Sequence, residues 1–240
     1  MRALRISLIV VVVLAVLGVV ADRVALWVTE GEVAARAQDR LGLASEPAVS
    51  IKGFPFLTQV LGSELDRVTL GVGDYAASVD DQELNIHDLD IELDNVELSD
   101  GYRRATAETA HGEGMISYAE LTRAYGELLA VSGNGFGVEF EYAGEGRLQL
   151  VLQASALGQT LDVGEVTGEL RLDGEVVTLG VAEGELPDIA NDQLREAVHG
   201  QLDQERTISG LPEGLAVSAL EPSEDGLRVI VDGADVTVGG

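Results

Sequence analysis

The stretch from Leu84 to Asp100, "LNIHDLDIELDNVELSD", alternates apolar and polar residues, and this alternation narrows the available folds more than any other feature. Leu89, Ile91 and Leu93 point one way while Asp88, Asp90, Glu92 and Asp94 point the other. A period of two with one apolar and one acidic side is what a strand with one buried and one wet face requires. The parity slips twice: Leu84 and Ile86 are even-numbered, Leu89 to Leu93 odd, and Val96 and Leu98 even again. A one-residue slip would turn the apolar face to water, so bulges or kinks are predicted near His87-Asp88 and Asp94-Asn95. Strands kinked in this way build curved sheets.

The same period recurs on both sides of that stretch. Val49 to Ile51 reads as a short strand, and Leu65, Val68, Leu70 and Val72 as another. Residues 104–116, "RATAETAHGEGMI", are small enough to be a strand on a crowded surface. Val138, Phe140 and Tyr142, then Leu148, Leu150 and Leu152, then Leu170 and Leu172, then Val177, Leu179 and Val181 are separated by turns at 142–146 and Asp173-Gly174, which makes an antiparallel meander. Leu215 and Val217, then Leu227, Val229 and Val231, close the chain with one or two strands, with Asp225-Gly226 and Asp232-Gly233 as turn pairs.

Three helices interrupt the strands. Residues 30–43 place Val33, Ala37 and Leu41 at helical spacing and stop near Gly42. Ser117 caps a second helix with Glu120 as its capping-box partner, and Leu121, Tyr125, Leu128 and Leu129 form its apolar stripe. A third follows Pro187, with Ile189, Leu194, Val198 and Leu202 on one side. The fold class is therefore α+β, a curved antiparallel β-sheet wrapping helices, and no fixed-period repeat is present.

The N-terminus sets the compartment. Arg2 and Arg5 precede an uncharged run from Ile6 to Ala21 that would span about 24 Å as a helix, short of a ~30 Å hydrocarbon core. That length suits a signal-peptide h-region with cleavage after Ala21. The apolar run resumes at Val24 to Val28, with Trp27 placed as an interfacial anchor, which suits an uncleaved signal-anchor equally. Residues 1–28 are thus a signal peptide or N-terminal signal-anchor. In both cases the arginines stay in the cytoplasm and residues 29–240, read as one domain, are exported.

Charge and composition exclude several functions. The formal charge is −27, and two units more negative once Arg2 and Arg5 are set aside. Such a field repels nucleic acid, so none is expected as a partner, and contact with anionic lipid must be local or apolar. Without cysteine there is no disulfide, thiolate metal site or Cys nucleophile. His87, His111 and His199 lie on different elements, and no H-E-x-x-H, G-x-S-x-G or Walker-type stretch occurs. The acidic row Asp88 to Asp94 reads as a solvated strand face, because same-face carboxylates ~7 Å apart do not converge on a cation. "GNGFG" at 133–137 follows a helix and precedes a strand, the reverse of a phosphate loop's setting. No catalytic residue, metal or cofactor is expected.

One motif remains. "GFPFLTQ", residues 53–59, places Phe54 and Phe56 around Pro55, a combination unsuited to a strand interior or a helix, and reads as an apolar loop. Such a loop either folds back on the core or borders a lipid cavity or membrane.

The set "IKGFPFLTQVLGSELDRVTL", "GEGMISYAELTRAYG" and "ISGLPEGLAVSALEPSEDGLRVIVDGADV" resembles the LmeA-like phospholipid-binding family of actinobacteria, in the family's order and over about residues 30–240. The resemblance implies an exported envelope protein that binds phospholipid and supports lipoglycan elongation, with a fold similar to tubular lipid-binding domains. It carries over no catalytic residue. The expectation is then an apolar groove for an acyl chain, anchored to the membrane by the N-terminal segment or released into the envelope, with Phe54, Pro55, Phe56 and Leu57 as lipid-binding mouth or lid. The competing readings are a fully packed envelope scaffold that binds a protein or wall polymer, and a glycan-processing enzyme using two carboxylates.

Overall fold

The structure, a computed structural model, describes residues 2–79, 82–131, 136–156, 159–181, 205–209, 211 and 213–238. The fold is α+β, with an N-terminal helix and antiparallel strands. The chain divides into two compact units, one made of Met1–Val72, Asp90–Ala110 and Gly233–Gly240, the other of Gly73–Leu89 and His111–Asp232. The helix predicted over 188–205 lies outside the described residues except for Glu205, and of the glycine turn at 133–137 only Phe136 and Gly137 are described, as the start of a strand.

In the first unit, α1 runs without a break from Arg2 to Leu41. The leader and the helix predicted over 30–43 are one element, and the boundary drawn at residue 28 falls inside it. Asp22-Arg23 interrupts the hydropathy but not the backbone, since neither residue breaks a helix as Pro does. The end is set at Gly42, which takes φ 64°, while the Leu43 N–H reaches back to the Gln38 carbonyl at 3.0 Å. This is the Schellman closure, and glycine meets its left-handed backbone without cost.

β1 (Ala48–Lys52) pairs antiparallel with the start of β2 (Glu64–Val79), Ile51 opposite Val68 and Ala48 opposite Gly71. α2 (Phe56–Gly62) lies between them in sequence. The unit is completed by parts of β3 (Gln82–Ser99), β4 (Arg104–Ile116) and β11 (Gly226–Val238). Ile51, Phe56, Leu65, Val96, Ala107 and Val236 are buried in it.

The second unit holds the rest of those strands together with α3 (Tyr118–Val131), β5 (Phe136–Gly144), β6 (Arg147–Ala156), β7 (Gln159–Asp173), β8 (Val176–Val181), β9 (Arg206–Ser209) and β10 (Leu215–Ser223). The strand order is β10-β11-β4-β3-β2-β9-β8-β7-β6-β5, with β1 added on β2. The meander predicted over 138–181 is present as β5 to β8. β9 was not foreseen, since four residues carry no readable alternation, yet it joins the sheet by pairing Ser209 with Ser78 of β2 and Thr207 with Val176 of β8.

Both predicted slips in β3 are real. Asp88 and Asn95 adopt φ 49° and 50°, left-handed values that Asp and Asn tolerate better than other non-glycine residues. Each resets the pleat, so that Ile86, Leu89 and Val96 are all buried despite their mixed parity. β11 uses the same device at Asp235, φ 53°, between buried Val231 and Val236. The turn predicted at Asp232-Gly233 is therefore wrong: β11 passes through it, and the chain is realigned within the strand.

Candidate functional site

The core of the second unit is not fully packed. α3 lies over the meander, and Leu121, Ala124 and Tyr125 face Phe140, Leu148, Leu170 and Leu179 across a cavity of about 140 Å³. Leu84, Ile116, Leu227 and Val229, from β3, β4 and β11, complete its apolar wall. The predicted stripe of α3 supplies Leu121 and Tyr125, with Ala124 added; the side chains of Leu128 and Leu129 lie outside the described residues.

Polar contacts hold α3 at that distance. Asn85 donates to Glu120 from its backbone N–H at 3.1 Å and from its side chain at 2.9 Å. The Phe140 N–H donates to Thr122 Oγ1 at 3.0 Å, and the Tyr118 hydroxyl donates to the Ser223 carbonyl at 2.6 Å. Ser117 Oγ accepts the Glu120 N–H at 3.2 Å, as a capping residue should. The other half of the predicted capping box is replaced, because the Glu120 carboxylate turns to Asn85 and to Arg123. Its hydrogen bond from the Arg123 guanidinium, followed by that from the Asn85 N–H, holds the Glu120 pKa at about 2. Burial pushes the Tyr118 hydroxyl up.

One charged residue stands in the cavity wall among the described residues. The Arg206 guanidinium lies 4.6 Å above the Tyr125 ring, and that ring meets Phe140 edge-on at 5.3 Å. A cation on an aromatic face lets an arginine flank apolar space while keeping an electrostatic partner.

The residues of "GFPFLTQ" are in the first unit and do not line this cavity. They form a clasp on α1. Gly53 takes φ 96°, and a Cβ there would stand 2.3 Å from Asp66 Oδ2 and 2.5 Å from Gln59 Nε2, so the turn admits only glycine. Pro55 is the N-cap of α2, a place where its missing N–H costs nothing. The motif is thus a turn leading into a helix, and the reading of 53–59 as loop throughout is corrected. Phe56 is buried, Phe54 and Leu57 are exposed, and Gln59 bridges the strands by donating to the Lys52 carbonyl at 3.3 Å and accepting the Asp66 N–H at 2.8 Å.

What the clasp grips was not legible. Asp22, only 3 % exposed, accepts the Leu57 N–H on Oδ1 at 2.8 Å and the Arg23 guanidinium on Oδ2 at 2.6 Å. The same guanidinium lies 5.1 Å from the centre of the Phe54 ring. Glu30, further along α1, accepts the Ile51 N–H at 2.9 Å. Two carboxylates of α1 thus bind backbone donors of the domain. The only available signal was their presence in a helix otherwise rich in apolar residues. The remainder of α1 is long and apolar enough to cross a membrane, and its side chains from Leu4 to Val20 are exposed.

The other candidates are surface groups. His87 pairs with Asp74 at 2.6 Å and His111 with Asp232 at 2.7 Å, both exposed. The Asp232 carboxylate raises the His111 pKa above its ordinary value. In the acidic row, Arg67 pairs with Glu92 at 3.0 Å and with Asp94 at 2.7 Å. His199 lies outside the described residues, and among the described ones no three His, Asp or Glu side chains converge.

Residues 20–232 match the family model described as LmeA-like phospholipid-binding. The chain belongs to that family. The matched region of this LmeA-like protein begins within α1, so it takes in Asp22 and the clasp as well as every residue of the cavity wall. No curated protein and no solved structure matches it.

Proposed function

We propose that this LmeA-like protein is an extracytoplasmic, membrane-anchored carrier that takes part of a phospholipid acyl chain into the cavity under α3, in support of envelope lipid or lipoglycan assembly. The observation that carries the reading is the cavity itself, whose wall among the described residues is apolar but for Arg206. A dry apolar space of this size holds a benzene-sized group, so it admits a segment of one chain and not a whole lipid. At about 0.8 kcal/mol per buried methylene, six methylenes would contribute roughly 5 kcal/mol without headgroup chemistry. The mechanism is binding and handing over, with no covalent step. The left-handed residues that reset the pleat of β3 and β11, with α3 packed on the meander, support likeness to tubular lipid-binding domains. Phe54 and Leu57, held by Pro55 and Phe56, are assigned to lipid contact outside the cavity.

Full-length protein in vesicles containing a phospholipid with a diazirine near the acyl terminus tests this. Irradiation is expected to label peptides of α3 and β5 to β8, and Ala124→Trp, which fills the cavity, is expected to abolish that labelling. Labelling confined to α1 would contradict the reading.

A further inference from the structure

Phe54, Leu57 and Leu61 form an apolar ridge on the clasp, with exposures of 62 %, 39 % and 82 %. Its position along α1 is fixed by contact and not by proximity in sequence. The Leu57 N–H is hydrogen-bonded to Asp22, and Arg23 covers one face of Phe54. Asp22 is the first charged residue after Arg5, and it closes the uncharged run from Ile6 to Ala21. The uncharged run of about 24 Å is shorter than a ~30 Å hydrocarbon core, so a spanning α1 draws Asp22, and the group bonded to it, down to the headgroup boundary. Trp27, about 7.5 Å further along the axis, is 75 % exposed, as suits an interfacial anchor.

We propose that the ridge of Phe54, Leu57 and Leu61 inserts into the interface of the same bilayer that α1 spans. The first unit then lies on the outer leaflet through two contacts, a spanning helix and an apolar ridge beside it. The occupant of the ridge is the phospholipid surface, because the ridge is continuous with the membrane segment through Asp22. The nearest charges are few and mixed: Arg23, exposed but paired with Asp22, exposed Lys52, and exposed Asp66 beside Gly53. This inference rests on the membrane-anchored reading above and adds a site that the cavity does not contain.

Tryptophan fluorescence with brominated lipids tests it on the full chain. Trp27 is the single tryptophan, so Trp27→Phe gives a silent background. Into it are placed Phe54→Trp, Leu61→Trp and, as an insertion control, Val13→Trp. Each is reconstituted in phosphatidylcholine vesicles with acyl chains brominated near the headgroup or unbrominated. The expected result is blue-shifted emission from positions 54 and 61 that is lost in brominated vesicles. Position 61 is so exposed that its variant keeps the test open if the change at 54 disturbs folding. Water-like, unquenched emission at 54 and 61 with quenching at 13 overturns the ridge while leaving the anchor intact. Absence of quenching at all three positions overturns the anchored reading and the ridge with it. A blue shift that grows with protein concentration and ignores bromine overturns the proposal in favour of a second copy of the chain.

Discussion

The Leu57 N–H donates to Asp22 Oδ1 at 2.8 Å, which ties the first turn of α2 to the point where the apolar part of α1 ends. Asp22 is therefore structural: it follows the cleavage position read after Ala21 and contributes a buried acceptor to the domain. Replacing Asp22 by Ala removes that acceptor and leaves a backbone donor without it. Hydrogen exchange is expected to accelerate at Leu57 and along α2, with amides of β5 to β8 unchanged. Equal acceleration in both places would show that the clasp is not a local device.

Gly53→Ala tests the turn that aims the clasp. An alanine Cβ there meets the Asp66 carboxylate and the Gln59 amide on a backbone at φ 96°. Strain of this kind costs about 1–3 kcal/mol, and thermal unfolding should fall by several degrees. An unchanged melting temperature would mean that Gln59 and Asp66 move aside freely.

Glu120 gives the fold a pH dependence. Its folded pKa of about 2 lies below its ordinary 4.5, so the stabilisation is fully present above the unfolded value and is lost as pH falls towards 2. The carboxylate is 14 % exposed but Arg123 is 42 % exposed, so solvent screening keeps the effect under roughly 3 kcal/mol. Urea unfolding of the wild type and Glu120→Gln should differ most at pH 7 and converge only as pH falls to about 2. A gap independent of pH would contradict the assignment.

The strands were legible because alternation is a direct record of burial. Even the two irregularities of β3 could be located to His87-Asp88 and Asp94-Asn95, since a shifted parity must be absorbed somewhere; that Asp88 and Asn95 take the left-handed backbone came from the structure. β9 could not be found, because four residues hold too little pattern. At the leader the hydropathy is interrupted at Asp22-Arg23, yet the backbone of α1 continues through it, and the two charges find partners in the domain. Those partners, Leu57 and Phe54, are more than thirty residues away, and no local rule predicts them. The cavity was anticipated only as an apolar groove. Leu, Val and Ala line it together with Ile, Tyr and Phe, because Leu121 to Tyr125 meet the meander only in three dimensions.

A carrier of this kind must hold part of an acyl chain in the space under α3. The most direct measurement is native mass spectrometry of the full-length protein, produced in a host whose lipids are known and released gently from detergent, followed by organic extraction. One phospholipid per chain is expected, recovered in the extract and depleted in Ala124→Trp. A lipid-free mass with nothing extractable, from protein that unfolds cooperatively, would contradict it.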